Sequence, residues 1–128
     1  MQSNLEFSFA LMTDSYTVFE YLYRDAGNYK AWGSLLLAGT VTAEMETAFR
    51  ELLDSGEFFV AEQVGVPRLD RELWKLSGGP TEDDHGFHEF HGFRSATGED
   101  LKEPVWGSVE GFFAAFGKAL DAPIFTSL

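Results

Sequence analysis

The chain has 128 residues and contains no cysteine. A disulfide framework, a cysteine-based zinc site and a thiol nucleophile are therefore excluded. Basic residues are also scarce, because 9 Lys and Arg stand against 21 Asp and Glu and give a formal net charge of −12. A negative field of this size repels phosphate groups, so direct binding of DNA or RNA is disfavoured.

Long hydrophobic runs are missing as well. No stretch of the sequence approaches the roughly 20 apolar residues that a membrane-spanning helix needs, and residues 1–10 lack the basic start of a signal peptide. We therefore expect a cytoplasmic protein that makes no membrane contact. The length is typical of one domain, so we expect residues 1–128 to form a single domain.

Aromatic residues, by contrast, make up 16% of the chain, and 13 of them are Phe. A composition this rich in aromatics indicates a buried core rather than disorder. Alternating or β-rich segments predict strands at Leu5–Phe9, Tyr16–Tyr23, Tyr29–Leu37 and Phe87–Arg94. The turn residues Asp25–Asn28 predict a hairpin between the second and third of these.

Two amphipathic helices are predicted, at residues 43–54 and 108–120. Thr42 and Ser108 are typical N-caps for them. Phe58–Val60 fits either a buried strand or an apolar turn, and periodicity does not decide between the two. The predicted fold class is α+β, with a small antiparallel sheet of about three to four strands packed by the two main helices.

The acidic residues concentrate in two segments, 41–64 and 81–103, and each carries a net charge of −5. We predict that both segments line one surface and bind a basic partner. The alternative is that they are solvated faces that serve solubility. The candidate partner-binding residues are Glu44, Glu46, Glu51, Asp54, Glu57, Glu82, Asp83 and Asp84.

All three histidines lie within seven residues, at His85, His88 and His91. Imidazole and carboxylate suit zinc or iron, so His85 and His88 are candidate metal ligands together with Asp83 or Asp84. The spacing fits badly, because on a strand His88 faces the side opposite His85 and His91. The alternative is ordinary polar residues on a strand and its leading loop. A metal-dependent or ligand-binding domain would add substrate groups from Arg24, Tyr29 and Lys30.

Catalytic and cofactor motifs are missing from the sequence. It contains no nucleophile elbow and no phosphate-binding loop, so we favour a protein that is not an enzyme and has no cofactor. We expect Trp32, Trp74 and Trp106 to belong to the aromatic core rather than to a ligand pocket.

Three stretches, at residues 23–30, 56–67 and 77–85, resemble a set of small uncharacterised bacterial proteins, and this resemblance implies no activity. In size and charge the chain also resembles acidic anti-CRISPR proteins that act as DNA mimics. That likeness favours a bacterial or phage inhibitor that occupies a basic, nucleic-acid-binding surface of a partner. An antitoxin-like module that recognises a protein through a Phe-rich surface is a further alternative.

Overall fold

The computed structural model describes residues 15–25, 27–71 and 87–121, and this part of the chain has an α+β fold. Its strands are β1 Tyr16–Arg24, β2 Lys30–Ala38, β3 Phe58–Val60, β4 Phe87–Ser95 and β5 Val105–Ser108. Its helices are α1 Ala43–Glu51, α2 Ala61–Val64 and α3 Val109–Asp121, with one 3₁₀ turn at Asp100–Lys102.

The five strands form one mixed sheet in the order β3-β4-β1-β2-β5. Neighbouring strands are antiparallel except for β2 and β5, which are parallel. The predicted α+β class is confirmed, but the sheet has more strands than predicted and one parallel pair. β3 has three residues and β5 has four, and segments this short do not display the alternation from which a strand can be predicted.

The predicted hairpin is confirmed, with Arg24 opposite Lys30 at its tip. Asp25 organises the turn, because its carbonyl accepts the Asn28 N–H at 2.9 Å and its side chain accepts the Tyr29 N–H at 2.9 Å. Asn28 has a φ of 69°, in the left-handed region that Asn tolerates better than most residues. The strand predicted at Leu5–Phe9 lies outside the described residues.

Strand β4 contains a bulge at His91. Glu20 pairs with Gly92 and Tyr21 pairs with Phe90, so His91 is the extra residue. The bulge shifts the alternation of side chains, so that Phe90 and Phe93, three positions apart, both pack into the core. His91 points to the opposite side, where its ring contacts Trp32.

The core lies on one side of the sheet, here called the inner face. Phe19 of β1 is fully buried at its centre. Its ring lies 4.7–6.1 Å from those of its aromatic neighbours, which include Phe49 of α1, Phe90 of β4, and Phe112 and Phe116 of α3. The opposite side, the outer face, carries the alternate β1 residues, among them Val18, Glu20 and Leu22.

Both helix caps are as predicted. The Thr42 hydroxyl accepts the Met45 N–H at 3.2 Å, and the Ser108 hydroxyl accepts the Gly111 N–H at 3.0 Å. Helix α1, however, ends at Glu51 rather than near Asp54. The backbone of Asp54 exchanges two hydrogen bonds with Phe58, at 2.8 and 2.9 Å, and this bridge draws the chain out of the helix toward β3.

Candidate partner-binding surface

Helix α1 and the turn after it carry three carboxylates that we call the acidic patch: Glu44, Glu51 and Asp54. All three residues are exposed, while Phe49 on the other side of the helix is fully buried. Glu44 and Glu51 are seven positions apart, which places them on one side of α1 about 10 Å apart along its axis. Within the described residues, no side-chain hydrogen bond or ion pair involves these three carboxylates.

Glu46 and Glu57, also predicted for this surface, have basic neighbours. Glu46 accepts a hydrogen bond from Arg50 at 3.4 Å, and the Arg50 guanidinium also lies over the Phe90 ring. The pKa of Arg24 is raised mainly by its hydrogen bond with Glu89. The negative charge of Glu57 raises this pKa further. Both carboxylates are therefore partly compensated within the chain.

The second predicted segment differs from the first. Glu82, Asp83 and Asp84 lie outside the described residues. Among the described residues, Glu89 accepts hydrogen bonds from Arg24 at 2.8 and 3.2 Å, and Glu99 contacts Lys102 at 3.0 Å. These carboxylates are already engaged by cations of the chain itself, whereas Glu103 makes no side-chain hydrogen bond or ion pair within the described residues.

Arg94 organises the acidic groups of the outer face. Its guanidinium donates to Asp100 at 2.6 and 3.0 Å and to Glu20 at 2.9 Å. The hydrogen bond from Arg94, assisted by those from Thr97, holds the pKa of Asp100 well below its usual range. Because α1 packs on the inner face, Glu44 and Glu51 lie on the opposite side of the sheet from Asp100.

An apolar groove of about 410 Å³ adjoins the acidic patch. Phe87 is 41% exposed beside it, and its ring meets that of Phe58 edge to face at 6.3 Å. Asp54 belongs to both the patch and the groove, so the two surfaces are continuous. The groove is lined by Leu52, Leu53, Asp54, Phe58, Phe59, Val60, Gln63 and Phe87. The sequence signal for it is the Phe58-Phe59 pair, of which one ring faces the core and the other does not.

The histidines do not converge in the described part of the chain. His88 is buried among Tyr21, Tyr23 and Phe59, and its Nε2 accepts the Leu69 N–H at 3.0 Å. With its lone pair used in this way, Nε2 does not bind a metal in this arrangement. No group of three metal-ligating side chains occurs among the described residues. His85 lies outside them, so its role stays a prediction.

At the tip of the hairpin, Arg24 pairs with Lys30, and Tyr29 comes directly before Lys30. Arg24 is engaged by Glu89 and by the Asn28 side chain, at 2.6 Å for the latter. Tyr29 is 70% exposed and Lys30 is exposed beside it. The role predicted for these three residues as substrate groups stays a prediction.

The tryptophans differ from the prediction of an aromatic core. Trp32 is 58% exposed and Trp106 is 47% exposed, while Trp74 lies outside the described residues. Trp32 projects from the outer face of β2, and Trp106 lies on the edge strand β5, so the helices that bury the inner face do not cover them. Trp106 borders a cleft of about 510 Å³ on that side of the sheet.

Comparisons with known proteins give no family for this chain. No protein-family model matches it, and no curated protein or solved structure does. Among the described residues, no helix is long and apolar enough to cross a membrane.

Proposed function

We propose that this chain is a non-enzymatic, acidic binding protein that occupies a basic, nucleic-acid-binding surface of a partner, in the manner of a DNA mimic. The observation that carries the proposal is the acidic patch, Glu44, Glu51 and Asp54. Its carboxylates have no ion pair among the described residues, and Asp54 lines an apolar groove. An anti-CRISPR-like inhibitor is one protein of this kind.

Among the described residues, the patch has no internal ion pair, and this affects the free energy of binding a partner. A carboxylate that already pairs with an arginine of the same chain must break that ion pair before it can bind a partner. Glu44, Glu51 and Asp54 have no such ion pair with any described residue, so their full charge can attract lysines and arginines of a partner. The net charge of −12 adds long-range attraction that accelerates encounter with a basic surface.

The groove supports a specific interface rather than diffuse attraction. Protein interfaces typically combine an apolar centre, which carries most of the affinity, with a polar rim. Phe58 and Phe87 supply apolar surface, and Asp54 stands at its border. A partner segment with an apolar side chain flanked by basic residues would match this arrangement.

The proposal can be tested by capture from a lysate of the source organism. The wild-type chain is immobilised in parallel with a Glu44→Lys/Asp54→Lys variant and a Glu99→Lys/Glu110→Lys control, which changes the net charge equally at exposed positions elsewhere. We expect a nucleic-acid-binding protein to be retained by the wild type and the control but not by the patch variant. Equal retention by all three proteins would contradict the proposal.

An antitoxin-like module that binds mainly through apolar contacts is a second candidate, favoured by the groove beside Phe58. It differs from the first in its response to salt, since apolar contacts are not screened. This candidate would be favoured over the DNA mimic if salt leaves the affinity for the partner unchanged and the Phe58→Ser substitution lowers that affinity at least tenfold.

A further inference from the structure

We propose that the cleft on the outer face of the sheet binds an organic ammonium group, held between the Trp106 ring and the Glu103 carboxylate. The site lies apart from the acidic patch, and the inference goes beyond the proposed function and does not depend on it. Its basis is the shape of the cleft, the charge on its wall and the way that wall is fixed.

The cleft, at about 510 Å³, falls within the range of small-molecule sites. Val18 and Leu36 of the sheet lie beneath it and are 2% and 5% exposed, so a ligand reaches little of their surface. Ser34, Pro104 and Trp106 also line it. Trp106 leaves nearly half of its surface in solvent, so an aromatic surface is available to a ligand.

Among the described residues that line the cleft, the charged side chains are both acidic: Asp100 and Glu103. Asp100 is fully committed, since its two oxygens accept hydrogen bonds from Arg94 and Thr97. Glu103 is exposed and makes no side-chain hydrogen bond or ion pair within the described part of the chain. The described lining of the cleft therefore offers one available negative charge and no cation, which selects against anionic ligands.

The acidic wall of the cleft is held in place before any ligand arrives. The Thr97 N–H donates to Asp100 at 2.7 Å, and the Asp100 N–H donates back to the Thr97 hydroxyl at 3.3 Å. The Glu103 N–H donates to the Asp100 carbonyl at 3.0 Å, and Arg94 ties Asp100 to the sheet. A wall fixed in this way reduces the ordering cost of binding.

An aromatic ring next to a carboxylate is the arrangement that attracts organic cations, because the ring face is electronegative and the carboxylate neutralises the charge. The apolar stem of an alkylammonium group would lie along Trp106 and Pro104, which are exposed, much as lysine stems lie on apolar surfaces. The same chemistry has two sources: a small quaternary or primary amine, or a lysine side chain of a peptide.

The test is a titration of the full chain followed by NMR at the Trp106 indole N–H, assigned by its loss in Trp106→Phe. The probes are choline, its neutral isostere 3,3-dimethylbutan-1-ol, and N-acetyl-lysine methylamide. We expect choline or the lysine derivative to shift this resonance with saturation, and the neutral isostere to bind at least about tenfold more weakly. Binding of the lysine derivative alone would identify the source as a peptide, and binding of choline as well would include small amines.

Variants keep the test decisive. Glu103→Gln is an exposed, isosteric change that should leave the fold intact and weaken cation binding about three- to tenfold. The controls Trp32→Ala and Glu99→Gln, on exposed residues that do not line the cleft, should leave it unchanged, as should Glu44→Lys/Asp54→Lys. The proposal is overturned if no cation gives a saturable shift, if the neutral isostere binds equally well, or if Glu103→Gln binds choline and the lysine derivative as the wild type does.

Discussion

Two acidic regions of this molecule have opposite internal chemistry. On the outer face, Glu20, Glu89 and Asp100 each accept hydrogen bonds from an arginine of a different segment. On α1 and its turn, the acidic patch has no such partner among the described residues. The first set of carboxylates connects segments of the chain, and we propose that the second binds another molecule. A net charge alone does not distinguish these roles.

The largest expected effect concerns the acidic patch. Glu44→Lys/Asp54→Lys should weaken binding to the captured partner about a hundredfold, because two attractive contacts become repulsive. Glu99→Lys/Glu110→Lys should weaken it less than about threefold, through the general field only. Calorimetry or surface plasmon resonance measures both, and equal losses in the two variants would erase the distinction between the regions.

On the outer face, we expect a substitution to lower the stability of the fold rather than the affinity for a partner. Arg94→Gln removes the donor shared by Glu20 and Asp100 and should lower the free energy of unfolding by about 1–2 kcal/mol, a value reduced by the 39% exposure of this side chain. The matched variant Glu44→Gln/Glu51→Gln/Asp54→Asn should stay within about 0.5 kcal/mol of the wild type. Urea denaturation compares them, and a larger loss in the patch variant would reverse the comparison.

Salt should affect partner binding about tenfold between 50 and 300 mM NaCl, because exposed charges are screened over a Debye length. The Glu44→Lys/Asp54→Lys variant should lose most of this dependence. The affinity is measured at a series of ionic strengths for both proteins. Parallel salt curves for the two would mean that the patch is not where the partner binds.

The smallest expected effect is a change in the contribution of Asp100 to stability at acidic pH. The pKa of Asp100 is lowered from 3.8 in the folded protein, so its contribution to stability is present above that pH and is lost as the pH falls toward the folded value. The stability gap between wild type and Asp100→Asn, about 1 kcal/mol near neutral pH, should therefore be constant down to about pH 5 and shrink below about pH 3.8. An unchanged gap at about pH 3 would show that the Arg94 contact does not control this carboxylate.

Local signals made much of the fold predictable. The turn at Asp25–Asn28 and the caps Thr42 and Ser108 each act over a few residues, and the elements they border occur as predicted. Long-range effects were not predictable. The parallel pairing of β5 with β2 and the bulge at His91 depend on neighbours far along the chain.

The candidate site divides in the same way. Helical periodicity placed Glu44 and Glu51 on the exposed side of α1, as the structure does. Which carboxylates are paired could not be inferred, because Arg94 and Glu20 are 74 positions apart and Arg24 and Glu89 are 65 apart. The exposure of Trp106 also depends on its place in an edge strand that was not predicted.

A competition measurement on the captured partner tests whether the acidic patch occupies its nucleic-acid-binding surface. Labelled nucleic acid is bound to the partner, and the chain is added in increasing amounts while fluorescence anisotropy follows the label. We expect the wild-type chain to displace the nucleic acid stoichiometrically and the Glu44→Lys/Asp54→Lys variant not to displace it. Simultaneous binding of the chain and the nucleic acid to the partner would contradict it.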